Sequence, residues 1–272
     1  MAARALAAGV LAGATSALAL RLLRDTPPGG DGLWDRTNHA GQPVTLLEGP
    51  AFVAGSALAA VPAGPGPVVA ALGAGALGAL DDLAGDSRSK GLRGHLSALA
   101  RGEVTTGAVK IIGLGAAGLL SAALVDARRG PSAGEGGLNA LDTLVGGAVI
   151  AGAANLLNLL DLRPGRALKA AVIAGALTAA DPRAEIASGA AVGAAAALLG
   201  PDLAGETMLG DTGANSAGAL LGSAFVARSG RRGRLAALAV LSAATLASER
   251  VSFTKVIEAT PGLRELDALG RA

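Results

Sequence analysis

The chain has 272 residues, 51% of them hydrophobic and 16% charged, with a mean hydropathy of +0.51. Cys is absent, and 23 basic against 21 acidic side chains leave a net charge of +2. These figures exclude a disulfide-built secreted domain and argue against a nucleic-acid binder and a disordered chain. The core fillers of a soluble protein are scarce, with three Phe, one Trp and no Tyr, while 42 Gly suit helices packed closely inside a bilayer.

A span needs ~20 mostly apolar residues. Nine apolar runs separated by short polar clusters lie at 3–23, 44–62, 67–80, 106–125, 138–160, 167–180, 184–200, 212–227 and 235–247. The first resembles a signal peptide in length, but no clean small-residue cleavage site precedes the polar stretch, so it reads as a retained span. Runs two and three are parted by the turn signal Pro62-Ala63-Gly64-Pro65-Gly66-Pro67. The expected fold is all-α: a polytopic integral membrane protein of about nine transmembrane helices, one domain over residues 1–272. A soluble Ala-rich helical protein is the competing reading, disfavoured because the runs reach membrane length repeatedly.

Nine spans put the termini on opposite sides. With the N-terminus outside, roughly two thirds of the 23 Arg and Lys fall on the cytoplasmic side, as the positive-inside rule expects. Arg128-Arg129 and the cluster Arg228, Arg231, Arg232 and Arg234 run against that bias. The cluster reads as a lipid-headgroup contact. Trp34 reads as an interfacial anchor, and His39 and His95 as loop residues. The tail 261–272 reads as a short amphipathic helix through Leu263, Leu266 and Leu269, lying on the membrane or docked under the face that carries the acids.

The acids and amides stand where apolar runs end. The third run stops at Asp81-Asp82, and the fifth carries Asn155, Asn158 and Asp161. Met208-Leu209-Gly210-Asp211-Thr212-Gly213 precedes the eighth. In the topology above all three clusters face the cytoplasm. Asn155, Asn158 and Asp161 are spaced by three, which puts them on one helix face. Carboxylates gathered at one membrane face can hold Mg2+ or act as a base toward a phosphate or hydroxyl. Gly210 and Gly213 flank Asp211 without side chains, so backbone can approach a phosphate there. Taken singly, each cluster is equally well a helix end, an interhelical contact or a turn. Their common sidedness favours a site.

In this order the clusters resemble the polyprenyl-phosphate N-acetylhexosamine-1-phosphate transferases, which include phospho-MurNAc-pentapeptide translocase and GlcNAc-1-phosphate transferases. The resemblance rests on Asp81-Asp82 followed by a basic loop with Lys90, on Asn155-x-x-Asn158-x-x-Asp161, and on Leu209-Gly210-Asp211-Thr212-Gly213-Ala214. It implies an Mg2+-dependent transfer of sugar-1-phosphate from a UDP-sugar, a UDP-N-acetylhexosamine in the first instance, to a polyprenyl phosphate. UMP is released, in cell-envelope glycan synthesis at the bacterial plasma membrane with the site facing the cytoplasm. By resemblance Asp81, Asp82 and Asp211 are the catalytic acids, with Asp81 and Asp211 on the metal. Asn155, Asn158 and Asp161 lie toward the nucleotide sugar, Lys90 toward phosphates, and Thr45, Gly210 and Gly213 in the substrate-binding loops. The resemblance also implies a homodimer.

The departures are specific. Leu162 replaces the Gly that the family has after Asp161, a second acid there is missing, Ala214 replaces a Ser, and the family's His-rich loop near the C-terminus is absent. A degenerate transferase that binds lipid phosphate or a partner protein is therefore the alternative. A proton- or cation-coupled transporter is a third reading, and it expects acids near mid-membrane rather than at span ends.

Overall fold

A computed structural model describes residues 3–30, 32–38, 41–84, 101–102, 105–129 and 139–271. Each of the nine apolar runs coincides with a helix. They are α1 (Ala3–Asp25), α2 (Glu48–Ala60), α3 (Pro65–Ala84), α4 (Thr106–Arg129), α5 (Ala140–Leu160), α6 (Arg166–Thr178), α7 (Glu185–Leu203), α8 (Gly210–Arg228) and α9 (Arg231–Ser248). Two short helices follow, α10 (Phe253–Ala259) and α11 (Leu263–Ala268). The start of the second run is instead strand. Asp35–Thr37 (β1) pairs antiparallel with Pro43–Thr45 (β2), Arg36 opposite Val44.

Successive helices run in opposite directions, so the bundle has two chemically distinct ends. At one end, contacts join the C-termini of α3 and α7 to the N-termini of α4, α6 and α8. At the other, Arg4 of α1, Glu185 of α7, Asp126 of α4, Asp142 of α5, and Arg231 and Arg234 of α9 come together. The described chain begins at this arginine-rich end. It finishes at the acidic one, where Arg271 Nε donates to Pro164 O.

Five helices, α1, α3, α4, α5 and α7, are long and apolar enough to cross a membrane. A sixth span results if α9 and α10, bent by 97° at their junction, count as one. Their outward faces carry large apolar side chains, among them Val10, Ile112, Leu120, Leu144 and Val240. An apolar surface of this extent belongs in lipid rather than water. Among the described residues, three of the nine runs do not qualify by length and composition. Helices α2 and α6 have 13 residues each, ~20 Å at 1.5 Å per residue, against a hydrocarbon core of ~30 Å. Helix α8 is long enough, but residues 212–224 are all buried and include Thr212, Asn215, Ser216 and Ser223. It is the polar-flecked axis of the bundle, packed against α2 to α7.

Small residues set the spacing. Along α1, Ala5, Ala8, Ala12 and Ser16 are buried. Gly9 and Gly13 lie against Gly189 and Gly193 of α7, where a Cβ at Gly193 would overlap the Gly9 carbonyl. With no side chain between them the backbones meet directly, the small-residue packing that lipid-embedded helices favour.

Three expectations are corrected. Trp34 is not at a lipid interface: it is 7% exposed, and its indole N–H donates to Pro28 O at 2.8 Å. A buried indole needs that acceptor, and the segment between α1 and β1 supplies it. The tail helix α11 docks by its polar face, with Asp267 buried and Leu263, Leu266 and Leu269 facing outward. The ion pair from Arg166 to Asp267 sets this orientation. Asp161 is the C-cap of α5 rather than part of its helical face.

Candidate functional site

The acidic end gathers residues from distant parts of the chain. Asp81 and Asp82 close α3, Lys110 lies in the first turns of α4, and Asp211 opens α8. The Asp82 carboxylate accepts from the backbone N–H of Asp211 at 3.1 Å and of Thr212 at 2.9 Å, and from the Thr212 hydroxyl at 2.7 Å. An acid from one helix thus caps another, satisfying N–H groups that a helix start leaves free. The Asp82 carbonyl is held in turn by Arg36 of β1.

Two glycines make this junction. Gly210 has φ +62°, a left-handed conformation that side-chain-bearing residues rarely adopt. Gly78 lies against the Asp211 backbone, and a Cβ there would collide with it. Gly213, by contrast, is covered by Leu209 and Gly49. Its missing side chain serves packing between α8 and α2 rather than an open approach for a phosphate.

Lys110 is the central cation. Its ammonium lies 3.3 Å from Asp81 Oδ2 and also bonds Asp211 Oδ2. Both carboxylates remain about a quarter exposed, 24% and 25%. Among the described residues no group of three or more His, Cys, Asp or Glu side chains is arranged to hold a metal ion. Asp81 and Asp211 are nevertheless two hard oxygen donors converging on one positive charge. That donor set fits Mg2+, which is commonly held by one or two carboxylates together with substrate phosphates.

Behind these groups is a second, buried set of acids. Thr207 donates to Glu48 at the start of α2, and Gly165 N donates to Asp202 Oδ2 at 3.1 Å. Asp161 is buried, and its Oδ2 has no hydrogen-bond partner. Burial pushes the Asp161 carboxyl well above the usual carboxylate range. Asp202, Asp211 and Asp82 add to the rise, and the Gly210 backbone amide partly offsets it.

The remaining predicted residues divide. Thr45 is close to the site through backbone: its carbonyl accepts from Met208 N at 2.9 Å, and its N–H donates to Glu206 O at 3.3 Å. The hairpin thereby braces the segment leading into Asp211. Asn158 is half-buried in the last turn of α5, and its carbonyl accepts from Asp161 N. Asn155 turns away, donating to Thr245 Oγ1 of α9 at 3.1 Å. It is a bond between helices, as polar side chains in packed apolar helices often make. Lys90 and the basic loop around it, with His39 and His95, lie outside the described residues.

Sequence reasoning assigned no role to Lys110, Glu48, Asp202 or Arg36. For Lys110 the signal was present, since a single ammonium inside an apolar run needs a partner. For Glu48 and Asp202 it was not, because each reads as the ordinary polar edge of a run. No protein-family model and no curated protein matches the chain.

Proposed function

We propose that this protein is a membrane phosphoglycosyltransferase acting on a UDP-sugar and a polyprenyl phosphate. The observation that carries the reading is the meeting of Asp81, Asp82, Asp211 and Asp161 at one end of the bundle, from stretches up to 130 residues apart. An oxygen of the lipid phosphate attacks the β-phosphorus of the UDP-sugar. The bond from that phosphorus to the bridging oxygen breaks, and UMP leaves with the electron pair. The products are a lipid diphosphosugar and UMP.

Such a transfer depends on positioning and charge neutralisation more than on covalent catalysis by the protein. Asp82 fixes the α8 N-terminus, and so the position of Asp211. Lys110 supplies positive charge beside the carboxylates. Mg2+, held by Asp81 and Asp211, would neutralise phosphate charge when bound. Asp161 and Asn158 line the nucleotide-sugar side, and Thr45 holds the entry loop. In this reading the acidic end faces the cytoplasm of a bacterial plasma membrane, where both substrates are available, and the protein works as a homodimer.

A second reading has its own support. Lys110 bridges Asp81 and Asp211, so the protein's own ammonium can stand where a metal would. A degenerate transferase that holds lipid phosphate without reaction would keep this arrangement.

The test is UMP release by purified protein with undecaprenyl phosphate, Mg2+ and a panel of UDP-sugars, beside Asp211→Asn and Lys110→Gln. Release with one donor, reduced at least a hundredfold in Asp211→Asn, supports the enzyme. Absence of release from folded protein that retains lipid phosphate moves the assignment to the non-catalytic binder.

A further inference from the structure

The arginine-rich end carries a cavity of about 1200 Å³, remote from the carboxylates at the other end of the bundle. Its lining includes the apolar Pro67, Val125, Ile186 and Ala224. It also bears Arg4, Arg128, Arg129, Arg183, Arg228, Arg231 and Arg232.

Some of these cations have structural work. Arg129 donates to Ala227 O and Ser229 O, and Arg231 binds both oxygens of Asp142 at 2.6 and 2.7 Å. Arg4 and Arg228 are only loosely balanced, at 3.8 Å from Glu185 and 3.9 Å from Asp181. The exposed side chains of Arg128, Arg183 and Arg232 have no carboxylate partner among the described residues. Asp126 and Asp142 are already committed to Arg234 and Arg231, and Asp181 accepts from the Arg183 backbone N–H and lies 3.9 Å from Arg228. Positive charge therefore accumulates around a cavity whose lining is also partly apolar. The N-terminus of α9 at Gly230 also lines it and adds its unpaired N–H groups.

We infer that this cavity is a binding site for a phosphate or diphosphate group, held by Arg128, Arg183 and Arg232. Guanidinium groups match phosphate oxygens in pairs, and several together neutralise more than one negative charge. The volume exceeds what a single inorganic anion fills, and the apolar part of the lining leaves room for an apolar continuation of the ligand. A lipid-borne phosphate and a free anion share the recognising chemistry. The site is independent of the reaction at the acidic end.

Full-length protein in detergent is titrated calorimetrically with pyrophosphate. In parallel it is equilibrated with mixed phosphatidic acid and phosphatidylcholine and weighed by native mass spectrometry. The variants are R128Q/R183Q/R232Q, its lysine counterpart R128K/R183K/R232K, and a charge-matched control remote from the cavity, R21Q/R250Q/K255Q. The three cavity arginines are exposed, so the fold does not depend on them.

The expected result is binding weakened at least tenfold in the glutamine triple, intermediate in the lysine triple and unchanged in the control. Pyrophosphate binding without retention of phosphatidic acid assigns a free anion. Retention of phosphatidic acid over phosphatidylcholine assigns a lipid headgroup. Wild-type binding by the glutamine triple, equal loss in the control, or no binding of either probe overturns the inference.

Discussion

At the scale of single residues, the acids of the candidate site divide by what already holds them. Asp82 is bonded on both oxygens and works through the backbone it caps. Asp81 and Asp211 share Lys110. Asp161 has burial without an adequate partner, and its folded carboxyl holds its proton to higher pH than the unfolded one. Stability linked to Asp161 is therefore greatest at low pH and declines as pH rises from the ordinary carboxylate value toward the folded one. Asp161→Asn removes that decline. Its melting temperature in detergent should exceed wild type at pH 8 and converge with it only below the ordinary carboxylate value, near about pH 3; parallel curves would refute the assignment. That Asp81, Asp82 and Asp211 meet was legible in the sequence because their clusters fall on one side of the expected topology. What Asn155 bonds was not, because helical spacing gives a common face but not what that face meets.

At the scale of elements, run length proved a poor guide to crossing. Helix α2 is largely buried, whereas α6 leaves Ile173 and Leu177 exposed; both fall short of the length a span needs, which hydropathy alone does not show. The docked tail was only half legible. Its helical period was visible, but the attraction of Asp267 to Arg166, 101 residues away, was not. Arg166 grips Asp267 at 2.7 and 3.0 Å, Arg271 adds a second contact, and Lys169 donates to three carbonyls at the end of α11. Burial opposes the charge on Asp267, yet the Arg166 and Arg271 hydrogen bonds hold its pKa down to about 2. The clamp is therefore complete above the ordinary carboxylate value and is lost as pH falls toward about 2. The chain has no Cys, so a spin label on Leu269→Cys reports this region alone. It should be immobile at pH 6 and mobile near pH 2, and Arg166→Gln should mobilise it at pH 6. A label equally immobile in that variant would show that Asp267 is not the anchor.

At the scale of the whole molecule, three of the six arginines that opposed the charge bias are accounted for by what they bond. Arg129, Arg231 and Arg234 are committed to carbonyls and carboxylates, and Arg234 is wholly buried. A cation neutralised inside the bundle should weigh less in orientation than a free one, and a residue count cannot separate the two. The seam between α1 and α7 leaves no room for added side chains. Gly193→Leu should cost at least about 1–3 kcal/mol through overpacking, read as a lower melting temperature and faster proteolysis. The outward-facing Val10→Leu in α1, on the other side of the seam, should change neither. Equal melting of both variants would mean that the seam is not tight.

The same seam bears on the order in which the molecule is made. Helix α1 leaves the ribosome before its glycine-bearing partner α7, which begins at residue 185. Until then its main packing partner among the described helices is α2. The seam is therefore expected to close only after α2 to α6 have been made. Nascent chains arrested before residue 185 should leave the alanine and glycine stripe of α1 open to crosslinking by neighbouring membrane proteins, and chains arrested beyond α7 should not.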